Sequence, residues 1–198
     1  MDGQVLPEDW FISDGSFLQF YPDAIQAYAK SHWTPIRVAK KAADFLGAEA
    51  GARVLDIGSG AGKFCLIAAH YRPGAFFYGV EQRREMVEQA NRVKALTGLK
   101  NLAFMHGNIT SVDLRSYDHF YFYNSFYENL IGSERVSDDL EYSEELYNYY
   151  NRYLYRQLDQ TPSGTRLVTF HSLEPEVPRD FHVVASDMGN LLKFWVKE

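Results

Sequence analysis

Apolar positions along the chain follow two periods that alternate. Short apolar runs at residues 53–58, 75–81, 102–106, 117–124 and 165–171 predict buried strands. Between them lie segments with apolar residues at helical spacing. Ile36, Ala39, Ala43 and Leu46 mark one helix, with Thr34-Pro35 as its start and Gly47 as its stop. Phe64, Ile67, Ala68 and Tyr71 mark a second, opening at Gly62 and halted by Arg72-Pro73-Gly74. Residues 83–96, closed by Gly98, and 143–159, with Glu144 and Glu145 at the positive end, predict two more. Residues 23–30 are a short candidate helix, and 181–186 with 191–197 predict a terminal hairpin around Asp187-Met188-Gly189-Asn190. Strands alternating with helices imply an α/β, three-layer sandwich of about seven strands. The sheet is mostly parallel, and the C-terminal hairpin adds an antiparallel strand. Ligands of such sheets bind beyond the carboxyl ends of the strands, here just after residues 58, 81, 107 and 124.

Composition narrows this. The 198 residues suit one domain, 1–198, in which 1–33 forms an aromatic cover or lid (Trp10, Phe11, Phe17, Phe20, Tyr21). A single cysteine, Cys65, excludes a disulfide framework and a cysteine-built zinc site. No run approaches the roughly eighteen apolar residues of a membrane span, and no secretory leader is visible, so a cytoplasmic location is expected. Lys+Arg number 20 against 26 Asp+Glu, a net charge of −6, which argues against a nucleic-acid partner. Aromatic residues make up 16%, and ten of the 14 tyrosines lie between residues 117 and 155.

The chemistry concentrates at VLDIGSGAGKF, residues 54–64, where a strand runs into Gly58-Ser59-Gly60-Ala61-Gly62 and a helix follows. Glu81 ends the next strand, where a carboxylate can accept hydrogen bonds from both ribose hydroxyls of a nucleoside. Three nucleoside-binding readings compete. A phosphate-binding P-loop needs glycine at 57 and Ser or Thr at 64, but Ile57 and Phe64 stand there. The dinucleotide fingerprint needs Gly or Ala at 63, which is Lys63. Asp56 followed by G-x-G-x-G fits a third pattern and resembles motif I of class I S-adenosylmethionine (SAM) dependent methyltransferases.

That resemblance spans roughly residues 34–172 and implies a Rossmann-like class I methyltransferase sandwich, with SAM as cofactor, S-adenosylhomocysteine (SAH) as product and no metal. It implies that Asp56 neighbours the methionine ammonium and that Gly58, Ser59 and Gly60 line the methionine portion. Glu81 then holds the ribose, Gln82 flanks the adenine, Asn108 accepts from the adenine amino group and Ile109 packs on the ring. For Asn108 a plain turn residue is the alternative. Asn124, at the end of the fourth strand, would bind the methionine moiety or orient the acceptor.

A second resemblance bears on the acceptor. Tyr78-Gly79-Val80-Glu81, Asn124-Ser125-Phe126 and Gly164-Thr165-Arg166-Leu167-Val168 are similar to the disruptor-of-telomeric-silencing type of lysine methyltransferases. Thr34, ahead of Pro35, sits in a similar position to that family's upstream loop and counts with the cofactor-binding residues. Ser125 and Phe126 replace the two prolines of base-methylating enzymes. The expectation is therefore N-methylation of a protein side chain such as lysine. A small-molecule acceptor and a SAM-binding module without transferase activity are the alternatives. Asn124, Tyr123 and Tyr127 are the candidate catalytic residues, with His171 as a further proton acceptor. Residues 134–145 hold six acids and one arginine, a candidate lip for a basic acceptor or simply a solvated loop.

Overall fold

The computed structural model describes residues 7–27, 33–126, 143–172 and 174–198. Tyr127 and residues 134–142 of the acidic stretch lie outside the described residues. The strands are β1 (Arg53–Ile57), β2 (Phe76–Glu81), β3 (Leu102–His106), β4 (His119–Phe122), β5 (Arg166–Phe170), β6 (Phe181–Asp187) and β7 (Leu192–Lys197). They form one sheet in the order β3-β2-β1-β4-β5-β7-β6. β1 to β5 pair in parallel, and β7 inserts antiparallel between β5 and β6. The order reverses between β1 and β4, which opens a crevice at the carboxyl ends of those strands.

The helices are α1 (Asp14–Leu18), α2 (Asp23–Gln26), α3 (Ile36–Leu46), α4 (Lys63–Tyr71), α5 (Arg84–Thr97) and α6 (Glu144–Asp159). Side chains of a strand alternate between faces, so Val54 joins the core under α3, α4 and α5 while Leu55 and Ile57 join the core under α6. Helix α4 is buried from Lys63 through Ala69, which fits an element packed between sheet and neighbours rather than one with a polar face. Gly98 ends α5 in the left-handed conformation, and the Ser143 hydroxyl caps α6 by accepting from the Leu146 N–H.

One local expectation fails here, at the start of α3. Helix α3 begins after Pro35, and the Thr34 hydroxyl does not cap it. That hydroxyl lies 2.9 Å from the Tyr121 hydroxyl, buried beneath the sheet edge. The cap comes from 22 residues upstream, where Asp14 Oδ1 accepts from the Ile36 N–H at 3.0 Å. The same carboxylate pairs with the buried Lys63 at the start of α4. Phe11, Phe17, Tyr21 and Ile25 are buried in the α3–α5 core, so the described part of the aromatic cover is packed down as core. Among the described residues no helix is long and apolar enough to cross a membrane.

Candidate functional site

The glycine loop joins β1 to α4 at the crevice, and its glycines have different reasons to be there. At Gly58, φ is +73°, and a Cβ would lie 2.4 Å from Ser125 Cβ. Ser125 follows β4 and donates its hydroxyl to the Ile57 carbonyl at 2.5 Å, tying the two strand ends together. At Gly60, φ is +54°, and a Cβ would meet no atom within 4 Å. Gly58 thus serves the packing of the loop on the β4 turn, and Gly60 has open space where a side chain would stand. Gly79 on β2 leaves room for Ser59, whose buried hydroxyl oxygen has no hydrogen-bond partner among the described residues. The Tyr21 hydroxyl donates to the Ala61 carbonyl at 2.8 Å, so the N-terminal cover grips the loop directly.

Asp56 sits beneath this loop, between Gly79 and Tyr121 in the sheet register. The Cys65 thiol donates to its Oδ2 at 3.6 Å. Burial, with Glu81 nearby, pushes the Asp56 carboxyl up to about 8 despite the thiol. An unfolded Asp titrates near about 3.9, so the folded protein holds this proton more tightly. The stabilisation is fully present below about pH 4 and is lost as pH rises towards 8. Thermal melts of the protein without cofactor should therefore drop between pH 5 and 8, by at most about 1.4 kcal/mol per pH unit from this group. Asp56→Asn should flatten that slope, and an unchanged slope would show that another group controls it.

Glu81 is 2% exposed at the end of β2. Its carboxylate accepts from the Gly60 N–H at 2.9 Å and the Arg83 N–H at 2.9 Å. It also accepts from Arg83 Nε at 2.8 Å and Nη2 at 3.1 Å. The next layer outward is Asn108, after β3. Its amide oxygen accepts from the Thr110 N–H and hydroxyl, both at 3.0 Å, capping the 3₁₀ turn Ile109–Ser111. Its Nδ2 donates to Gln82 Oε1 at 3.2 Å and to the Tyr150 hydroxyl at 2.9 Å. The amide oxygen expected to meet adenine is thus already engaged in a turn, and Ile109 is buried in the α6 core.

Beyond β4, Asn124 adopts a left-handed φ of +41° and makes no side-chain hydrogen bond to a described residue. Tyr123 stands beside it, its ring 4.8 Å from Phe170 and 5.7 Å from His171. Burial holds the Tyr123 phenol above its ordinary value and His171 below its own. Phe126 turns into the core under α6, buried against Phe122 and 5.5 Å from the Tyr150 ring. The structure therefore brings Asp56, Gly58–Gly60, Glu81, Gln82, Asn108 and Asn124 to one edge of the sheet and seats Thr34 in the core below it. Sequence reasoning missed Arg83 and Tyr150. The only signal for Arg83 was a cation two residues after Glu81, and nothing in the sequence sets Tyr150 apart from the other tyrosines of α6. Among the described residues, no group of three or more His, Cys, Asp or Glu could hold a metal.

Comparison with known proteins agrees with this geometry. A family described as a methyltransferase domain matches residues 48–147. A tRNA (guanine-N(7)-)-methyltransferase of Synechococcus sp. (strain JA-3-3Ab) is 48% identical over 61 residues, 31% of this chain and 25% of that protein. A 23S rRNA (uracil(1939)-C(5))-methyltransferase of Shewanella sp. (strain MR-7) is 42% identical over 71 residues, 36% of this chain and 15% of its own. The matches thus cover a quarter or less of these relatives' length. Among solved structures, an RNA methyltransferase from Salinibacter ruber in complex with SAH superposes with a TM-score of 0.58 at 20% identity, covering 84% of this chain and 94% of that one. A SAM dependent methyltransferase from Aquifex aeolicus gives 0.55 at 17% identity, covering 89% and 98%. These two share the fold. The RNA-modifying relatives overturn the expectation that the acidic balance excludes nucleic acid. Net charge averages over the whole surface, whereas phosphate contact needs only a local basic strip. The family match spans half the chain and the sheet has the order and crevice of the class I fold, so the chain belongs to the methyltransferase domain family of SAM-dependent enzymes.

Proposed function

We propose that the protein transfers the methyl group of SAM to a base of an RNA. The observation that carries this reading is the likeness to RNA-directed relatives, a tRNA and a 23S rRNA methyltransferase. At the carboxyl end of β4 the half-buried Tyr123, packed on Phe170 and His171, stands next to Asn124, and an aromatic face there suits a flat acceptor. The residues present fit the cofactor: Gly60 leaves open space beside its Cα, the buried Ser59 hydroxyl has no partner among the described residues, and Glu81 offers a buried carboxylate. SAM supplies a methyl group on a positive sulfonium, an already activated donor.

The chain's own residues then have positioning to do. Glu81 would accept from the ribose, Asp56 would counter the methionine ammonium from beneath the loop and Asn124 would orient the acceptor. Tyr123 stays protonated at neutral pH and donates a hydrogen bond, while the neutral His171 ring beside it can take up a proton. Asn124→Ala should lower turnover by about 10²-fold through lost alignment. SAM affinity should stay within roughly threefold of the starting value. Equal loss of both would make Asn124 a cofactor ligand only.

The outer face of α6 supports an RNA partner further. Glu145, Asn148, Tyr149, Arg152, Tyr153 and Arg156 line a groove of about 440 Å³ on this helix. Tyr149 is 55% exposed, and neither arginine forms an ion pair with a described residue. Arg152→Ala with Arg156→Ala should flatten the salt dependence of RNA binding by about 0.7–0.9 per lost phosphate contact. SAH affinity should not change; an unchanged salt slope would place the RNA elsewhere.

Tritiated SAM added to a lysate with the protein tests the acceptor. Label in nucleic acid, removed by ribonuclease, is the expected result. Label that resists ribonuclease and yields to protease would overturn it in favour of a protein lysine. The acidic stretch at 134–145 is the feature that would favour that second acceptor.

A further inference from the structure

The hydrogen bonds around Glu81 hold a numerical constraint. A carboxylate offers about four acceptor positions. All four are taken: Oε1 accepts from the Arg83 N–H and Nε, and Oε2 from the Gly60 N–H and Arg83 Nη2. Two of these donors are backbone groups, one in the glycine loop and one at the start of α5, and they cannot leave without opening the turn. The other two belong to one side chain, and they fall one on each oxygen. A ribose diol needs one position on each oxygen as well.

We propose that Arg83 is a specificity-determining residue whose guanidinium holds the two positions that a nucleoside cis-diol takes. The proposal rests on Glu81 being the ribose acceptor and adds what that acceptor demands. The Arg83 side chain is only 16% exposed and Glu81 is 2% exposed, so the pair is well shielded from water. A ligand with both hydroxyls replaces the two side-chain bonds one for one. A ligand with a single hydroxyl displaces the same bidentate fork and restores only one bond, leaving a buried carboxylate oxygen short of a donor. The diol is then a condition for entry, and 2′-deoxy and 3′-deoxy nucleosides are rejected by the displaced arginine as much as by the missing contact. Of the donors on Glu81 the guanidinium is the one that would have to move, carried by its long stem.

The test is calorimetric titration of SAH, adenosine and 2′-deoxyadenosine into the wild type, Arg83→Ala and Arg83→Gln. Removing the competitor should tighten SAH by about tenfold. It should also narrow the adenosine to 2′-deoxyadenosine affinity ratio by about tenfold, because water can enter and serve the second oxygen. Weaker SAH binding with an unchanged ratio would overturn the proposal and make Arg83 a support that orients Glu81. Glu81→Ala binding SAH as the wild type does would instead sink the ribose assignment itself. The wild type gives an answer even where the variants fail to fold. The ¹⁵N signal of the Arg83 Nε–H should lose its hydrogen-bonded shift and its exchange protection on saturation with SAH. Retention of both would overturn the displacement.

Discussion

Alanine at Gly58 should lower the melting temperature by about 10 °C, far more than alanine at Gly60 two residues on. The residue has φ +73°, a region that costs an L-residue roughly 1–2 kcal/mol. The new Cβ would stand 2.4 Å from Ser125 Cβ and 2.6 Å from its Oγ, and Ser125 cannot withdraw without breaking its bond to the Ile57 carbonyl. Overpacking of this kind adds about 1–3 kcal/mol. Gly60→Ala is the contrast, because its Cβ would meet nothing and only the conformational cost remains. Gly60→Ala should therefore melt within a few degrees of the wild type while weakening SAM binding. Thermal denaturation of the two variants decides the matter, and equal losses would contradict separate roles for the two glycines. Gly58→Ala with Ser125→Gly should recover the steric part of the loss.

Much of the sheet was legible because strand ends carry turn residues. The runs at 102–106 and 181–186 end where β3 and β6 end to within a residue, and Gly98 closes α5 as its position suggested. What was not legible depends on contacts distant in sequence. Asp14 looks like an ordinary acid, yet it caps α3 and pairs with Lys63. Thr34 has the composition of a cap, and tertiary packing against Tyr121 claims its hydroxyl instead. Local propensity gives way where a buried polar group needs a partner.

The site shows the same division. Asp56, Gly58, Gly60, Glu81 and Asn124 could be placed from motif spacing because each sits at a strand end or in a turn, where sequence position fixes spatial position. The aromatic excess could not be apportioned that way. Phe120 and Phe122 are core, as strand alternation suggests, and Tyr121 is equally buried on the opposite face, stacked on Phe64 at 3.9 Å. Tyr147 and Tyr153 bond to Glu176 and to the Thr110 carbonyl, while Tyr150, between them on α6, reaches Asn108 at the crevice. Which tyrosine turns inward depends on the angle at which α6 lies across the sheet, and no spacing in the chain records that angle.

Glu81→Ala should weaken SAM by about 10–10³-fold. Two ribose hydroxyls bonded to a charged acceptor contribute about 3–6 kcal/mol, displacing the Arg83 fork takes back about tenfold, and each 1.4 kcal/mol is about tenfold. The substitution also strips the Gly60 N–H and the Arg83 side chain of this acceptor, so the loop loses its anchor to β2. Glu81→Gln separates the two effects, since the amide oxygen can still accept while the charge is gone. The most direct measurement is calorimetric titration of SAH into the wild type and Glu81→Ala at neutral pH, with folding of both confirmed by melting. The account expects one SAH per chain for the wild type and at least about tenfold weaker binding for the variant. Equal affinity in the two proteins, or no binding to either, would contradict it.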